Sequence, residues 1–175
     1  MHLKKLLQQK EADFVNQWFE LVIETYPAET ARFLKNQADQ FANPVGNTTR
    51  KGLATIYSEL HQEMNAERIV AALDPIIRIR AVQDFTPSKA VGFVFALKQI
   101  LRNALEKEIQ APGTERELRS LETNIDRVGL MAFDIYMRCR EKIYEIRANE
   151  TKNSTYNAFK RAGLIVEIPG EGPGV

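Results

Sequence analysis

The sequence has few of the residues on which metal sites, disulfides and most active sites depend. It contains one cysteine and two histidines among 175 residues. A single cysteine cannot form an internal disulfide, which is typical of a reducing compartment. His2 and His61 are far apart, whereas a histidine-based metal site needs several ligands at short spacing. Glycine-rich phosphate loops and the G-x-S-x-G pattern are also missing. We predict no catalytic residues, no metal site, no cofactor and no enzymatic activity.

The sequence also lacks a charge imbalance and a long apolar run. A net charge of +1 gives no electrostatic reason to expect nucleic-acid binding. The longest apolar run, from Ala90 to Leu97, is far shorter than the roughly 20 residues that span a bilayer. The N-terminal residues do not resemble a secretory signal. We therefore expect a cytoplasmic protein without a membrane span.

What the sequence does contain is helical spacing, with no alternation typical of strands. It predicts an all-α fold: a single helical domain of about six or seven helices over residues 1–150, followed by a flexible tail over residues 151–175. Asn47 or Thr48, Asn65 and Thr86 are the predicted N-caps. The predicted helices before the last one cover residues 3–26, 28–34, 48–64, 66–82 with a fresh start at Asp74-Pro75, and 87–110.

The last predicted helix, from Glu115 to Ala148, carries apolar residues at alternating steps of three and four. This spacing forms a seam that packs against another helix. Off-seam apolar residues, among them Leu130, Phe133 and Met137, make the middle of the helix apolar on two faces. One face would pack on this chain's core and the other on a second copy; alternatively, this chain's own helices cover both. The predicted dimer interface is Leu121, Ile125, Val128, Ala132, Ile135, Cys139, Ile143 and Ile146.

Two arginines inside an apolar run, Arg78 and Arg80, are the main polar candidates. Buried arginines need partners, and Asp74 or Asp84 is close enough to supply an ion pair. Alternatively, the two guanidinium groups face a cleft that holds an anion. His61 is either a half-exposed helix residue or a pocket residue. The pocket candidates are Trp18, Tyr57, His61, Arg78, Arg80 and Phe93.

The segment IIRIRAVQDFTPSKAVGFVFALKQILR, together with Trp18, Tyr26-Pro27 and FANPVG at residues 41–46, resembles a known family. It is similar to the N-terminal sensory domain of RsbRD-type RsbT co-antagonists of the bacterial stressosome. The resemblance implies a regulatory input domain with a globin-like fold, without haem, that dimerises through its last helices. Full-length co-antagonists continue into a phosphorylatable output domain. This sequence has no counterpart of that domain, so we expect a stand-alone sensor or adaptor.

Three functions follow as hypotheses. The first is a non-enzymatic signalling module that acts as a homodimer through its last two helices and has a protein partner in a signalling pathway. The second is a globin-like protein that binds haem or an apolar ligand near Trp18, Tyr57, His61 and Phe93. The third is an adaptor that docks on a redox or metabolic complex through the segment from Tyr156 to Ile168.

Overall fold

The computed structural model describes residues 2–36, 39, 41–111 and 113–165. These residues form seven α-helices and one short 3-10 helix but no strand, which confirms the predicted all-α class. The chain divides into two compact units, residues 1–139 and residues 140–175. The helices are α1 (His2–Gln9), α2 (Glu11–Glu24), α3 (Ala28–Asn36), α4 (Pro44–Leu60), α5 (Ala66–Val82), α6 (Pro87–Ala104) and α7 (Thr114–Arg161).

The first unit has one hydrophobic core, and α2 lies at its centre. This helix packs against both α4 and α6, and α4 packs in turn against α5. Gly52 permits the close approach of α4 to α5, because a Cβ atom at that position would lie only 2.8 Å from the carbonyl oxygen of Ala72. The core residues of α2 recur at helical spacing: Phe14, Val15, Trp18, Phe19, Val22 and Ile23.

α6 and the first part of α7 lie side by side and antiparallel. As the residue number rises along α6, the number of the contacting residue on α7 falls. A Cβ atom at Gly129 would lie 2.2 Å from the Phe95 ring, so glycine is what lets this ring lie against α7. The three contacts are Phe95 with Gly129, Lys98 with Asp126 at 2.6 Å, and Arg102 with Glu122 at 2.6 Å.

Several predicted helix boundaries were wrong. The first predicted helix is in fact two helices that meet at Lys10. The Lys10 amide donates to the carbonyl oxygen of Leu6, and the Lys10 carbonyl oxygen accepts from the amide of Phe14. α4 begins at Pro44, because the Asn43 side chain caps it by accepting from the Gly46 amide at 2.8 Å. α5 runs without a fresh start through Pro75. The predicted Asn65 cap is confirmed by its 3.0 Å hydrogen bond from the Arg68 amide.

The last helix ends at Arg161, thirteen residues beyond the predicted end. Gly163 has a positive φ of 69°, and the amide of Leu164 bonds back to the carbonyl oxygen of Phe159. These are the features of a Schellman C-cap, which satisfies the last carbonyl groups of a helix. Residues 151–161, assigned from sequence to the tail, are therefore helical; residues 166–175, with the end of the predicted docking segment, lie outside the described residues.

Candidate functional site

Three of the six pocket candidates belong to the packed hydrophobic core: Trp18, Tyr57 and Phe93. The Trp18 indole is fully buried, and its Nε1 donates a hydrogen bond to the carbonyl oxygen of Phe93 at 2.7 Å. The Tyr57 hydroxyl donates to the carbonyl oxygen of Leu7 at 3.2 Å, and burial raises the pKa of this hydroxyl. Buried indole and phenol groups usually find such partners. The polar atoms of Trp18 and Tyr57 are therefore used to join helices.

His61 lies at the C-terminal end of α4, half-buried and edge-on to the Tyr57 ring at 5.3 Å between centroids. Burial lowers the pKa of its imidazole. With Leu3, Leu121 and other residues of α1, α4 and α7, His61 lines a hollow of about 160 Å³. Small-molecule sites typically measure roughly 300–1,000 Å³. The other five pocket candidates do not line this hollow.

Arg78 and Arg80 have opposite surroundings although only one residue separates them on α5. Arg78 is exposed and forms an ion pair with Asp74, with Nη2 2.9 Å from Oδ2. This hydrogen-bonded pair raises the pKa of the Arg78 guanidinium. The predicted ion pair to Asp74 is confirmed. Arg80 points into the first unit and is fully buried.

The Arg80 guanidinium bonds to neutral oxygens. Its Nη2 donates to the Thr25 hydroxyl at 2.7 Å and to the carbonyl oxygen of Lys89 at 2.9 Å. Burial lowers the pKa of this guanidinium, and the nearby Tyr26 hydroxyl opposes that shift. The three rings around the guanidinium carbon are Phe85 at 4.5 Å, Tyr26 at 5.3 Å and Phe93 at 5.3 Å.

Sequence reasoning had no signal for most of this cluster. Thr25 is 55 residues from Arg80, and no local spacing connects the two positions. Phe85 lies in the turn between α5 and α6, where an aromatic residue carries no distinctive pattern. The arginine in an apolar run was the one feature that indicated a special site, because charged side chains are rarely buried without partners.

The eight predicted interface residues fall into two groups. Five are buried in their own chain: Leu121, Ile125, Val128, Ala132 and Ile135. The other three are more open: Cys139 and Ile143 are half-buried, and Ile146 is 47% exposed. The first five are covered by other residues of the single chain. Their role in a dimer stays a prediction.

An exposed apolar face lies beside this seam in the first unit. Leu130, Phe133 and Met137 follow one another at steps of three and four, so they share one side of α7. They are 66%, 43% and 38% exposed. Phe95 of α6, which is 39% exposed, lies against Gly129 next to them. We call Phe95, Leu130, Phe133 and Met137 the α6–α7 face.

The amino-acid sequence matches the model of a known family over most of its length. Residues 12–151 match the model of the RsbT co-antagonist protein rsbRD N-terminal domain. The chain belongs to this family. Neither the curated proteins nor the solved structures gave a match. The matched region includes α2 from its second residue, α3 to α6, Arg80 with its aromatic neighbours, and the α6–α7 face.

RsbRD N-terminal domains are regulatory modules of stress signalling, so the family supports a signalling role for this chain. In the described part of this RsbRD domain, no three or more histidine, cysteine, aspartate or glutamate side chains are grouped so as to hold a metal ion. None of its described helices combines enough length with enough apolar character to span a bilayer.

Proposed function

We propose that this RsbRD N-terminal domain is a non-enzymatic sensor or adaptor that acts in the cytoplasm as a homodimer through its last two helices. The observation that carries the proposal is the α6–α7 face. Soluble chains rarely expose a contiguous group of large apolar side chains, and such patches usually mark interaction sites. Family membership supports the regulatory role.

The α6–α7 face suits a second copy of the same chain. A two-fold axis brings the same patch of each copy together, so an uncharged apolar patch is complementary to itself. Two ion pairs next to it are already formed within the chain. Lys98 pairs with Asp126, and Arg102 pairs with Glu122 through two hydrogen bonds of 2.6 and 2.7 Å. No charge of these two pairs has to be left without its partner when two copies meet.

Signal transfer in this proposal uses α7 itself. The helix contributes both core residues and face residues, so a change in core packing shifts the position of the face. A ligand or partner that favours one packing over another changes the population of each state. The dimer then presents a different surface to the next protein in the pathway.

The test is sedimentation of the purified chain and of a variant with Phe133→Asp. We expect the unmodified chain to sediment as a dimer and the variant as a monomer, because the new carboxylate would lose its water at the interface. Phe133 is 43% exposed, so the variant should keep its helical circular dichroism. Gln17→Asp is the matched control, since it adds the same charge at an exposed position on α2.

Two outcomes would contradict the proposal. One is a monomer for the unmodified chain at all concentrations. The other is a dimer that Phe133→Asp leaves intact while both variants remain folded. Loss of the dimer in the Gln17→Asp control as well would mean that added negative charge, rather than the α6–α7 face, controls association.

A further inference from the structure

The Arg80 guanidinium has hydrogen-bond donors that the protein does not satisfy. An arginine side chain carries five N–H donors. Nη2 donates to Thr25 and to Lys89, but Nε and Nη1 have no hydrogen-bond partner in the described part of the chain. The residue is fully buried. A buried donor without an acceptor costs free energy and is uncommon in native proteins. A bound acceptor would therefore stabilise this guanidinium.

The charge of Arg80 is also incompletely balanced. No carboxylate of the described residues pairs with this guanidinium, whereas Arg78 has Asp74. Part of the balance comes from the C-terminal ends of α2 and α5, which carry partial negative charge. The faces of Tyr26, Phe85 and Phe93 contribute as well. Neither contribution supplies a full negative charge.

We propose that Arg80 binds a small monocarboxylate. One carboxylate matches the single charge of the guanidinium, and its oxygens are acceptors for the free Nε and Nη1 donors. The apolar remainder of a small carboxylic acid suits the three aromatic rings around Arg80. A phosphate dianion fits less well, because its second charge would have no partner among these rings.

Tyr26 and Phe85 cover this site and provide its entrance. The two rings meet edge to face with 5.2 Å between their centroids, and both side chains are half-buried. Both residues lie in connections between helices, so they can move without unwinding a helix. The ligand would enter where these two rings separate and then lie between them and the guanidinium.

The site also has a direct connection to α7. The Tyr136 hydroxyl donates a hydrogen bond to the carbonyl oxygen of Phe85 at 2.5 Å. A carboxylate that moves Phe85 therefore also displaces the hydrogen-bond partner of Tyr136 on α7. Tyr136 directly follows the buried Ile135 in the sequence. This connection to regulation rests on the proposed function, whereas carboxylate binding at Arg80 does not.

The single tryptophan makes the test direct. Trp18 donates a hydrogen bond to the backbone of Phe93, and the ring of Phe93 faces Arg80. The fluorescence of Trp18, the one tryptophan of the sequence, should therefore respond to a ligand at this site. Sodium formate and sodium acetate are titrated against sodium chloride and sodium phosphate at constant ionic strength. We expect a saturable change with formate and acetate, and at most a weak linear change with chloride and phosphate.

Two arginine variants identify the group responsible. Arg80→Met should weaken the response by about tenfold or more, since it removes the charged donors. Arg78→Met is the matched control on the same helix and should leave the affinity unchanged. A response that Arg80→Met leaves intact, or that Arg78→Met abolishes, would overturn the assignment.

A measurement on the unmodified chain covers the case in which Arg80→Met fails to fold. The Nε–H resonance of Arg80 in a nitrogen-15 NMR spectrum should shift on addition of formate and reach a plateau. A resonance that stays in place, with no saturable tryptophan response, would mean that water satisfies these donors, and the proposal would fail. A dimer that persists in sedimentation would leave the proposed function standing in that case.

Discussion

The two parts of α7, residues 114–139 and residues 140–161, are both helical but differ sharply in burial. In the first part, seam residues such as Leu118, Ile125 and Ile135 are almost completely buried. In the second part, Ile143 is half-buried and Ile146 is 47% exposed. The aromatic side chains of the second part are exposed too: Tyr144, Tyr156 and Phe159.

This difference shows that signals for helix formation and signals for burial are independent. The second part keeps its helix with surface pairs such as Lys142 with Glu145 at 2.8 Å, with Lys160 and Arg161 in its last turn, and with a glycine C-cap. Basic residues stabilise the C-terminal end of a helix through its dipole. The heptad spacing ends after Ile146, so no continuous apolar stripe remains to be buried.

Matched substitutions in the two parts should have very different effects. Ile135→Asp removes a buried side chain and places a carboxylate in the core, so we expect a loss of about 4 kcal/mol or more in the free energy of unfolding. Ile146→Asp alters an exposed position and should change it by less than about 0.5 kcal/mol. Urea unfolding followed by circular dichroism measures both values.

The comparison between the parts would fail if the two substitutions cost the same. A large loss at Ile146 that grows with protein concentration would mean that a second copy covers the second part. Ile135→Asp is for the same reason a poor test of dimerisation, because it acts on the folding of a single chain. Phe133→Asp avoids that difficulty.

Within the first part of α7, Gly129 is the position against which the Phe95 ring of α6 lies. A Cβ atom there would overlap the Phe95 ring, so Gly129→Ala should cost about 1 kcal/mol despite the better helix propensity of alanine. Gly92→Ala on α6 is the control, since a Cβ atom there meets no atom within 4 Å. It should stabilise the fold by about 0.5 kcal/mol.

Thermal unfolding of the two glycine variants sharpens the comparison further. Opposite shifts of the melting temperature are expected, downward for Gly129→Ala and upward for Gly92→Ala. A higher melting temperature for Gly129→Ala would show that the partly exposed Phe95 ring swings away at little cost. In that case Phe95 would not be a fixed member of the α6–α7 face.

Local rules were sufficient for much of this fold. Apolar spacing predicted the all-α class, Asn65 was correctly predicted as a cap, and the spacing of four residues predicted the Arg78–Asp74 pair. The end of α7 was missed although the sequence contains its signal, basic residues followed by Gly163. Apolar periodicity alone determined that prediction, and it stops where burial stops rather than where the helix stops.

The surroundings of Arg80 were beyond such rules. Its neighbours come from the end of α2, the turn after α5 and the start of α6, and only the packed fold brings them together. Arg78 and Arg80 look alike in the sequence, yet one is exposed and the other buried. The choice depends on how α5 packs against α4 and α6, which local spacing does not determine.

The smallest expected effect is a pH dependence of the free energy of unfolding that arises from His61, which is half-buried in the first unit. Residues 140–165 contain no histidine. Burial lowers the pKa of His61 from its ordinary value of 6.5, so just below that pH the unfolded chain binds more protons than the folded chain. Protonation then favours unfolding. We expect the stability of His61→Gln relative to the unmodified chain to rise slightly as the pH falls from about 7 to about 5. Urea unfolding at both pH values measures this difference. A relative stability that falls instead would mean that attraction to Glu11, which raises the pKa, outweighs burial.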